Sequence, residues 1–180
     1  MTLTPDLGPA SLADLDARLR TLRDTHDVVD ALHRFAAGQD REDAALFLSA
    51  FTDDATLDFT GPARRFGVDA PVMGHDAIAG IPATLAPLTT THTVTNPRVT
   101  LDGDRATVSA LVAAQHVVTA TPDRHLLLTN HYDADLVRVG AAGSPAAWRM
   151  THLLIRVAWH DGDPTVLFGP DAAFVPPDDL

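Results

Sequence analysis

The chain has 180 residues, a length that fits a single domain large enough to bury a real core. Its net charge is −11 and its arginines form no basic cluster, which excludes nucleic acids and anionic membranes as partners, and no apolar run approaches the ~20 residues of a membrane span. The absence of cysteine excludes disulfides, zinc-thiolate sites and cysteine nucleophiles, so a reducing cytoplasm is the expected location.

The first predicted element is a long helix that follows a flexible arm at residues 1–10. Ser11 can cap this helix together with Asp14, and the apolar residues that follow recur at helical spacing. Gly38 is expected to end it, and a second helix is predicted from about Asp40 to Ala50 with Asp40 as its N-cap. The apolar positions are Leu12, Leu15, Leu19, Leu22, Val29, Leu32 and Phe35.

A short strand, a loop and another helix come next. Residues 54–59, DATLDF, predict the strand, and the loop is GPARRFGVDAPVMG. The helix is predicted over residues 75–88, with a distortion at Pro82.

The rest of the chain reads as antiparallel sheet. Two strands joined at Asp102-Gly103 predict a hairpin, and HLLLTNHYDADLVRV and AAWRMTHLLIRVAWH predict two further strands. Residues 163–180 are expected to form a Pro-rich C-terminal tail over the surface, which leaves residues 11–162 as one domain. Helices followed by antiparallel strands predict an α+β fold, with the helices on one side of a curved sheet and a cavity between them.

Each apolar strand face also carries polar residues. Side chains alternate across a strand, so one face of each strand is expected to be covered. The polar residues on these faces are His92 and Asn96, then His116, then Asn130 and Tyr132, and finally His152 and Arg156. Burying such groups costs several kcal/mol unless they are hydrogen-bonded, which predicts a mostly apolar pocket with a few convergent polar groups. A single strand histidine is more often structural than catalytic, and a β-bulge would reverse every assignment after it.

Asp40 has two interpretations. As a helix N-cap it would be structural. Alternatively, its carboxylate points into the pocket and orients an imidazole, which would then act as a general base near neutral pH.

Four segments resemble the SnoaL-like group of the nuclear transport factor 2 (NTF2-like) superfamily over roughly residues 20–162. They are FAAGQDREDAALFLSAFTDDATLDF, MGHDAI, THTVTNPRVTLDGDRATVSA and WRMTHLLIRVAWHDG. The resemblance implies an α+β cone, in which three N-terminal helices pack on a strongly curved, mostly antiparallel mixed sheet around a deep pocket. Enzymes of this group include scytalone dehydratase, bile-acid 7α-dehydratase, hexachlorocyclohexane dehydrochlorinase and polyketide cyclases.

The resemblance also implies an Asp–His dyad, with the aspartate after the first helix and the histidine about fifty residues later. Asp40 and His92 match this pattern, and His116 matches a second pocket histidine found in the dehydratases. Arg156 resembles a late-strand arginine of the family. The dehydratases carry a tyrosine where this chain has Phe35, so activation of a substrate carbonyl by that phenol is absent.

The predicted function is a cofactor-independent lyase or isomerase of secondary metabolism, similar to a dehydratase or a polyketide cyclase. Asp40, His92 and His116 are the predicted catalytic residues, acting on a proton next to a carbonyl of a small, hydrophobic, oxygenated substrate. The predicted substrate-binding residues are Phe35, Asp58, Asn96, Asn130, Tyr132, His152 and Arg156.

Two other functions remain open. The chain could be a non-catalytic ligand-binding or assembly module, such as the small subunit of a ring-hydroxylating dioxygenase, because fold alone does not decide function. Metal-assisted hydrolysis is disfavoured because no HxH or HExxH spacing is present, so no metal site is predicted. The family resemblance further predicts a homodimer formed through the outer sheet faces.

Overall fold

The computed structural model describes residues 11–140, 144 and 147–176. The predicted arm at residues 1–10 lies outside the described residues, as does the end of the predicted tail. The elements are α1 (Leu12–Asp40), α2 (Ala44–Leu48), β1 (Phe51–Asp58), α3 (Thr60–Arg65), β2 (Met73–Gly74), α4 (His75–Leu85), β3 (Leu88–Asp102), β4 (Arg105–Val118), β5 (His125–Arg138), β6 (Trp148–Gly162) and α5 (Thr165–Phe168).

The six strands form one open, mixed sheet in the order β2-β1-β6-β5-β4-β3. β1 and β6 run parallel, and all other neighbouring strands are antiparallel. α1 packs against β3 and β6, and α2 and α4 pack beside it. This confirms the predicted α+β cone of helices on a mostly antiparallel sheet. Within the described ranges, no helix combines the length and apolar character needed to span a bilayer.

The two halves of α1 differ in burial. The predicted capping box is present, because Ser11 and Asp14 exchange hydrogen bonds at the first turn. Contact with the sheet starts at Asp24, which accepts hydrogen bonds from Arg138 and Trp148. The leucines that precede Asp24 are exposed, although their spacing predicted a covered face, because this part of the helix extends past the sheet. Their exposed fractions are 86% for Leu12, 45% for Leu15, 55% for Leu19 and 66% for Leu22.

The junction between α1 and α2 differs from the prediction. Gly38 does not end α1 but lies inside it, and a Cβ at this position would be 2.4 Å from the backbone nitrogen of Phe47. The glycine is therefore needed for the close approach of α2 rather than for a helix stop. Asp40 is the last residue of α1 and not an N-cap. Asp43 caps α2 instead, because its carboxylate accepts a hydrogen bond from the Leu46 amide (2.9 Å).

The predicted loop and third helix also need correction. The segment GPARRFGVDAPVMG contains α3 and β2 rather than irregular structure alone. The helix that follows ends at Leu85, and Leu88 already belongs to β3. The hairpin after β3 is confirmed, but its two central residues are Gly103 and Asp104, because Asp102 pairs with Arg105 across the sheet.

Two of the register shifts in the sheet decide on which face several predicted site residues lie. In β3 the register shifts between Thr95 and Arg98, and Asn96 adopts a positive φ of 52° with an exposed side chain. In β6 a bulge lies between Met150 and His152, which pair with consecutive residues of β5. Beyond such a bulge the alternation of side chains is inverted. The core face of β6 therefore continues from Trp148 and Met150 to Leu153 and Ile155.

The chain after β6 folds back against the sheet. Phe168 of α5 stacks on Phe66 with ring centroids 4.6 Å apart, and Ala172 is buried in the same cluster. Residues 163–176 thus cover one end of the cone, whereas the sequence predicted only a surface tail.

Candidate active site

A cavity of about 390 Å³ lies between the helices and the core face of the sheet. Its wall is mostly apolar, as the strand patterns predicted. The larger apolar side chains of the wall are Phe35, Leu57, Phe59, Met73, Ile81, Leu85, Leu128, Ile155, Leu167 and Phe168. The polar residues of the wall are Gln39, Thr84, His92, His116, Asn130 and Tyr132.

Asp40 and His92 meet at this wall. His92 Nδ1 lies 2.6 Å from Asp40 Oδ1, and the backbone N–H of His92 donates to Asp40 Oδ2 (2.7 Å). Thr90 Oγ1 donates a further hydrogen bond to Oδ1 (2.9 Å). The carboxylate acts as an acceptor, so Nδ1 carries the proton in the neutral imidazole. Nε2 is then the unprotonated nitrogen, and His92 lines the cavity.

The position of Asp40 favours a role beyond helix stability. A carboxylate at a helix C-terminus lies at the negative end of the helix dipole, which is unfavourable by a few tenths to about 1 kcal/mol. Burial alone would raise the pKa of Asp40. The hydrogen bonds from the His92 ring, the His92 amide and Thr90 outweigh burial and hold the pKa below its usual value. Asp40 is therefore ionised near neutral pH and can orient the ring of His92.

His116 of β4 lies deep in the same wall. Its residue is 4% exposed, and its ring centroid is 5.7 Å from that of His92 with the two planes nearly perpendicular. Burial, with a further contribution from His92, lowers the pKa of His116 to about 4. Near pH 7 the side chain is neutral, so it can form hydrogen bonds but does not supply a cationic acid.

Asn130 and Tyr132 of β5 also face the cavity, as the alternation of β5 predicted. Phe35 packs edge-on against both His92 (6.3 Å between centroids) and Tyr132 (5.9 Å). Burial, together with the nearby charge of Asp40, raises the pKa of Tyr132. The phenol consequently remains protonated and can donate a hydrogen bond.

Four of the predicted substrate-binding residues do not line the cavity. Asn96 is exposed because the irregularity in β3 turns it outward. The bulge in β6 places His152 and Arg156 on the outer face, where His152 Nδ1 lies 2.8 Å from Thr56 Oγ1 and Arg156 pairs with Asp133. Asp58 accepts hydrogen bonds from the amide and hydroxyl of Thr60 at the start of α3 (2.9 and 2.7 Å).

Gln39, Leu167 and Phe168 are among the cavity residues that were not identified from the sequence. Gln39 precedes Asp40 and is 8% exposed, although a glutamine beside charged residues at a helix end reads as surface. Leu167 and Phe168 come from α5, in the segment taken for a tail. In the part of the chain that the structure describes, no group of three or more His, Asp or Glu residues is arranged to hold a metal ion.

Sequence comparison with known proteins matches this chain to one family model and to one curated relative. A family model described as SnoaL-like domain matches residues 20–153. Terrestric acid biosynthesis cluster protein E from Penicillium crustosum is 31% identical over 148 residues, which cover 79% of this chain and 88% of that protein.

Solved structures share the fold. A candidate scytalone dehydratase from Novosphingobium aromaticivorans aligns with a TM-score of 0.66 and 16% identity, over 80% of this chain and 90% of that one. The hexachlorocyclohexane dehydrochlorinase LinA-type3 from Novosphingobium barchaimii aligns with a TM-score of 0.64 and 16% identity, over 89% and 99%. At these identities the similarity establishes the fold alone.

Proposed function

This chain belongs to the family of SnoaL-like domain proteins, and from that premise we propose that it is a cofactor-independent lyase or isomerase. The substrate is a small, hydrophobic, oxygenated molecule, and the reaction starts with removal of a proton next to a carbonyl. The observation that carries the proposal is the Asp40–His92 pair at the wall of an apolar cavity. The relative from Penicillium crustosum is named for a biosynthesis cluster, which supports an oxygenated secondary metabolite as the substrate.

The first step is proton abstraction by His92. Nε2 takes the proton from carbon while Asp40 stabilises the imidazolium through Nδ1, and the electron pair of the C–H bond moves toward the carbonyl oxygen to give an enolate. A carboxylate held by three hydrogen bonds keeps the ring in one orientation and one tautomer. A positioned base of this kind contributes about 10²–10⁴-fold to the rate.

The second step returns the proton. In a dehydration the enolate expels a β-hydroxyl group, which leaves as water with the proton that His92 carries, so the net products are an unsaturated carbonyl compound and water. His116, neutral near pH 7, would hold the departing hydroxyl by a hydrogen bond. Tyr132, kept protonated by burial, would donate to a substrate oxygen.

Proton abstraction can be tested without knowing the natural substrate. The probe is 1-tetralone, an uncharged bicyclic ketone, incubated with the protein in D2O while NMR follows deuterium uptake at C2. A second probe, 3-hydroxy-1-tetralone, reports the complete elimination because loss of water yields fluorescent 1-naphthol. We expect the wild type to accelerate both reactions over buffer.

The variants for this test are His92→Gln and His131→Gln. His92→Gln is expected to lower both rates by about 10²–10⁴-fold, whereas His131→Gln, on the exposed face of β5, retains the wild-type rates. Circular dichroism checks that both variants are folded. Full activity in His92→Gln would refute the role of the dyad. A wild type that accelerates neither reaction would favour the non-catalytic binding module.

A further inference from the structure

Three residues of the cavity wall carry a buried polar atom with no hydrogen-bond partner among the described residues. These atoms are Gln39 Nε2, His116 Nδ1 and Asn130 Oδ1. Leaving one such group unpaired costs about 1–3 kcal/mol of stability. Three of them in one wall are not explained by folding. Rotation of the Gln39 and Asn130 amides and a small shift of the His116 ring toward the cavity would offer an amide donor, a carbonyl acceptor and an imidazole nitrogen to a bound molecule.

The same wall has no permanently charged side chain. Among the described residues that line the cavity there is no arginine, lysine, aspartate or glutamate. The nearest charge with a stated contact is the carboxylate of Asp40, which lies behind His92 and is negative. Arg34 is engaged with Asp30 and the carbonyl of Trp148, and Arg156 pairs with Asp133 on the outer face. A substrate carboxylate or phosphate would be buried without a cation, at a cost of several kcal/mol.

We propose that the cavity selects an uncharged substrate that carries both a carbonyl and a hydroxyl group, with the carbonyl oxygen held by the amide N–H of Gln39 and the hydroxyl by Oδ1 of Asn130. This inference rests on the proposed function for its account of turnover, but its binding component stands apart from catalysis.

Gln39 would supply the carbonyl activation that Phe35 cannot. The two residues are one turn apart on the same face of α1, and both line the cavity. When His92 removes the proton, negative charge develops on the carbonyl oxygen, and an N–H donor strengthens its hydrogen bond at that moment. No further acid or oxidant is required, because the charge is discharged when the hydroxyl group leaves.

Binding affinities test the substrate class. Isothermal titration calorimetry measures Kd for 1-tetralone, 3-hydroxy-1-tetralone and the similarly sized anion 1-naphthoate. We expect the wild type to bind both ketones at least ten times more tightly than 1-naphthoate. Gln39→Leu is expected to weaken the binding of both ketones by about 3- to 10-fold. Asn130→Leu is expected to weaken the binding of 3-hydroxy-1-tetralone by a similar factor and to leave the affinity for 1-tetralone unchanged.

Thr84→Val is the matched control, because Thr84 lines the same cavity but its hydroxyl already donates to the Gly80 carbonyl (3.1 Å).

The two leucine variants remove unpaired polar groups, so urea unfolding should show them to be as stable as the wild type or more stable. In turnover of 3-hydroxy-1-tetralone, Gln39→Leu should lower kcat by about 10²-fold with a much smaller change in KM.

The outcomes separate the two proposals. If 1-naphthoate binds as tightly as the ketones, or Gln39→Leu binds 1-tetralone like the wild type, the substrate inference is overturned even where deuterium exchange proceeds. If the wild type prefers the ketones and both leucine variants weaken binding as expected, but no deuterium exchange occurs, the binding site is supported and the catalytic proposal fails.

Discussion

The buried histidine of β4 should make folding stability depend on pH. Its pKa is lowered from 6.5 to about 4, chiefly by burial and further by His92, against hydrogen bonding to the backbone of Leu126 and Ala114 and the charge of Asp40. Between these values the unfolded chain binds a proton at His116 that the folded chain does not, so stability falls as the pH falls from about 6.5 to about 4. At about 1.4 kcal/mol for each tenfold change in proton affinity, the loss totals about 3 kcal/mol, of which about 2 kcal/mol has occurred by pH 5.

Urea unfolding at pH 7 and pH 5 measures this effect in the wild type, in His116→Gln and in the control His131→Gln. The wild type and the control should lose about 2 kcal/mol more between the two pH values than His116→Gln does. Any stability that His116→Gln loses through poorer packing is lost at both pH values, so it cancels when the free energies of unfolding at pH 7 and pH 5 are subtracted. Equal losses in all three proteins would refute the assignment of a buried, neutral imidazole.

Two further predictions concern α1 and are read from urea midpoints. Gly38→Ala should destabilise the protein by at least about 1–3 kcal/mol because its Cβ would overlap the backbone of Phe47. The control Gly80→Ala in α4 has open space around its Cβ and should increase stability by about 0.5–1 kcal/mol. Equal changes in stability in the two variants would contradict the close contact between Gly38 and Phe47. Leu32→Ala, in the buried half of α1, should cost about 2–5 kcal/mol, and Leu19→Ala, in the exposed half, should change stability by less than about 0.5 kcal/mol. A large loss in Leu19→Ala would show that the first half of the helix is covered in solution.

The regular parts of the sheet could be predicted from the sequence. In β4 and β5 the alternation is unbroken along the core face, so His116, Asn130 and Tyr132 were assigned to the cavity. The same rule failed in β6, where the bulge inverts it, and His152 was assigned to the wrong face. A bulge is created by pairing with neighbouring strands, and nothing in the local pattern of β6 marks it.

The proximity of Asp40 and His92 was expected from the family resemblance rather than from local pattern. The spacing of apolar residues gave no indication that the end of α1 reaches β3. Gln39 was missed for the same reason, since its burial depends on how α1 packs against the sheet and α2. Similarly, α5 is short and its apolar residues VLF are few, so only its tertiary contacts reveal that it lines the cavity.

The double attachment of His92 to Asp40 has a consequence for the whole sheet. β3 is an outermost strand, and the backbone amide that Asp40 occupies points away from β4, where a strand of another molecule could otherwise pair. One carboxylate therefore aligns an imidazole and also blocks a position for intermolecular β-pairing. In a relative that lacks the Asp–His pair, the free edge of β3 would need another form of protection, or the protein would become prone to self-association.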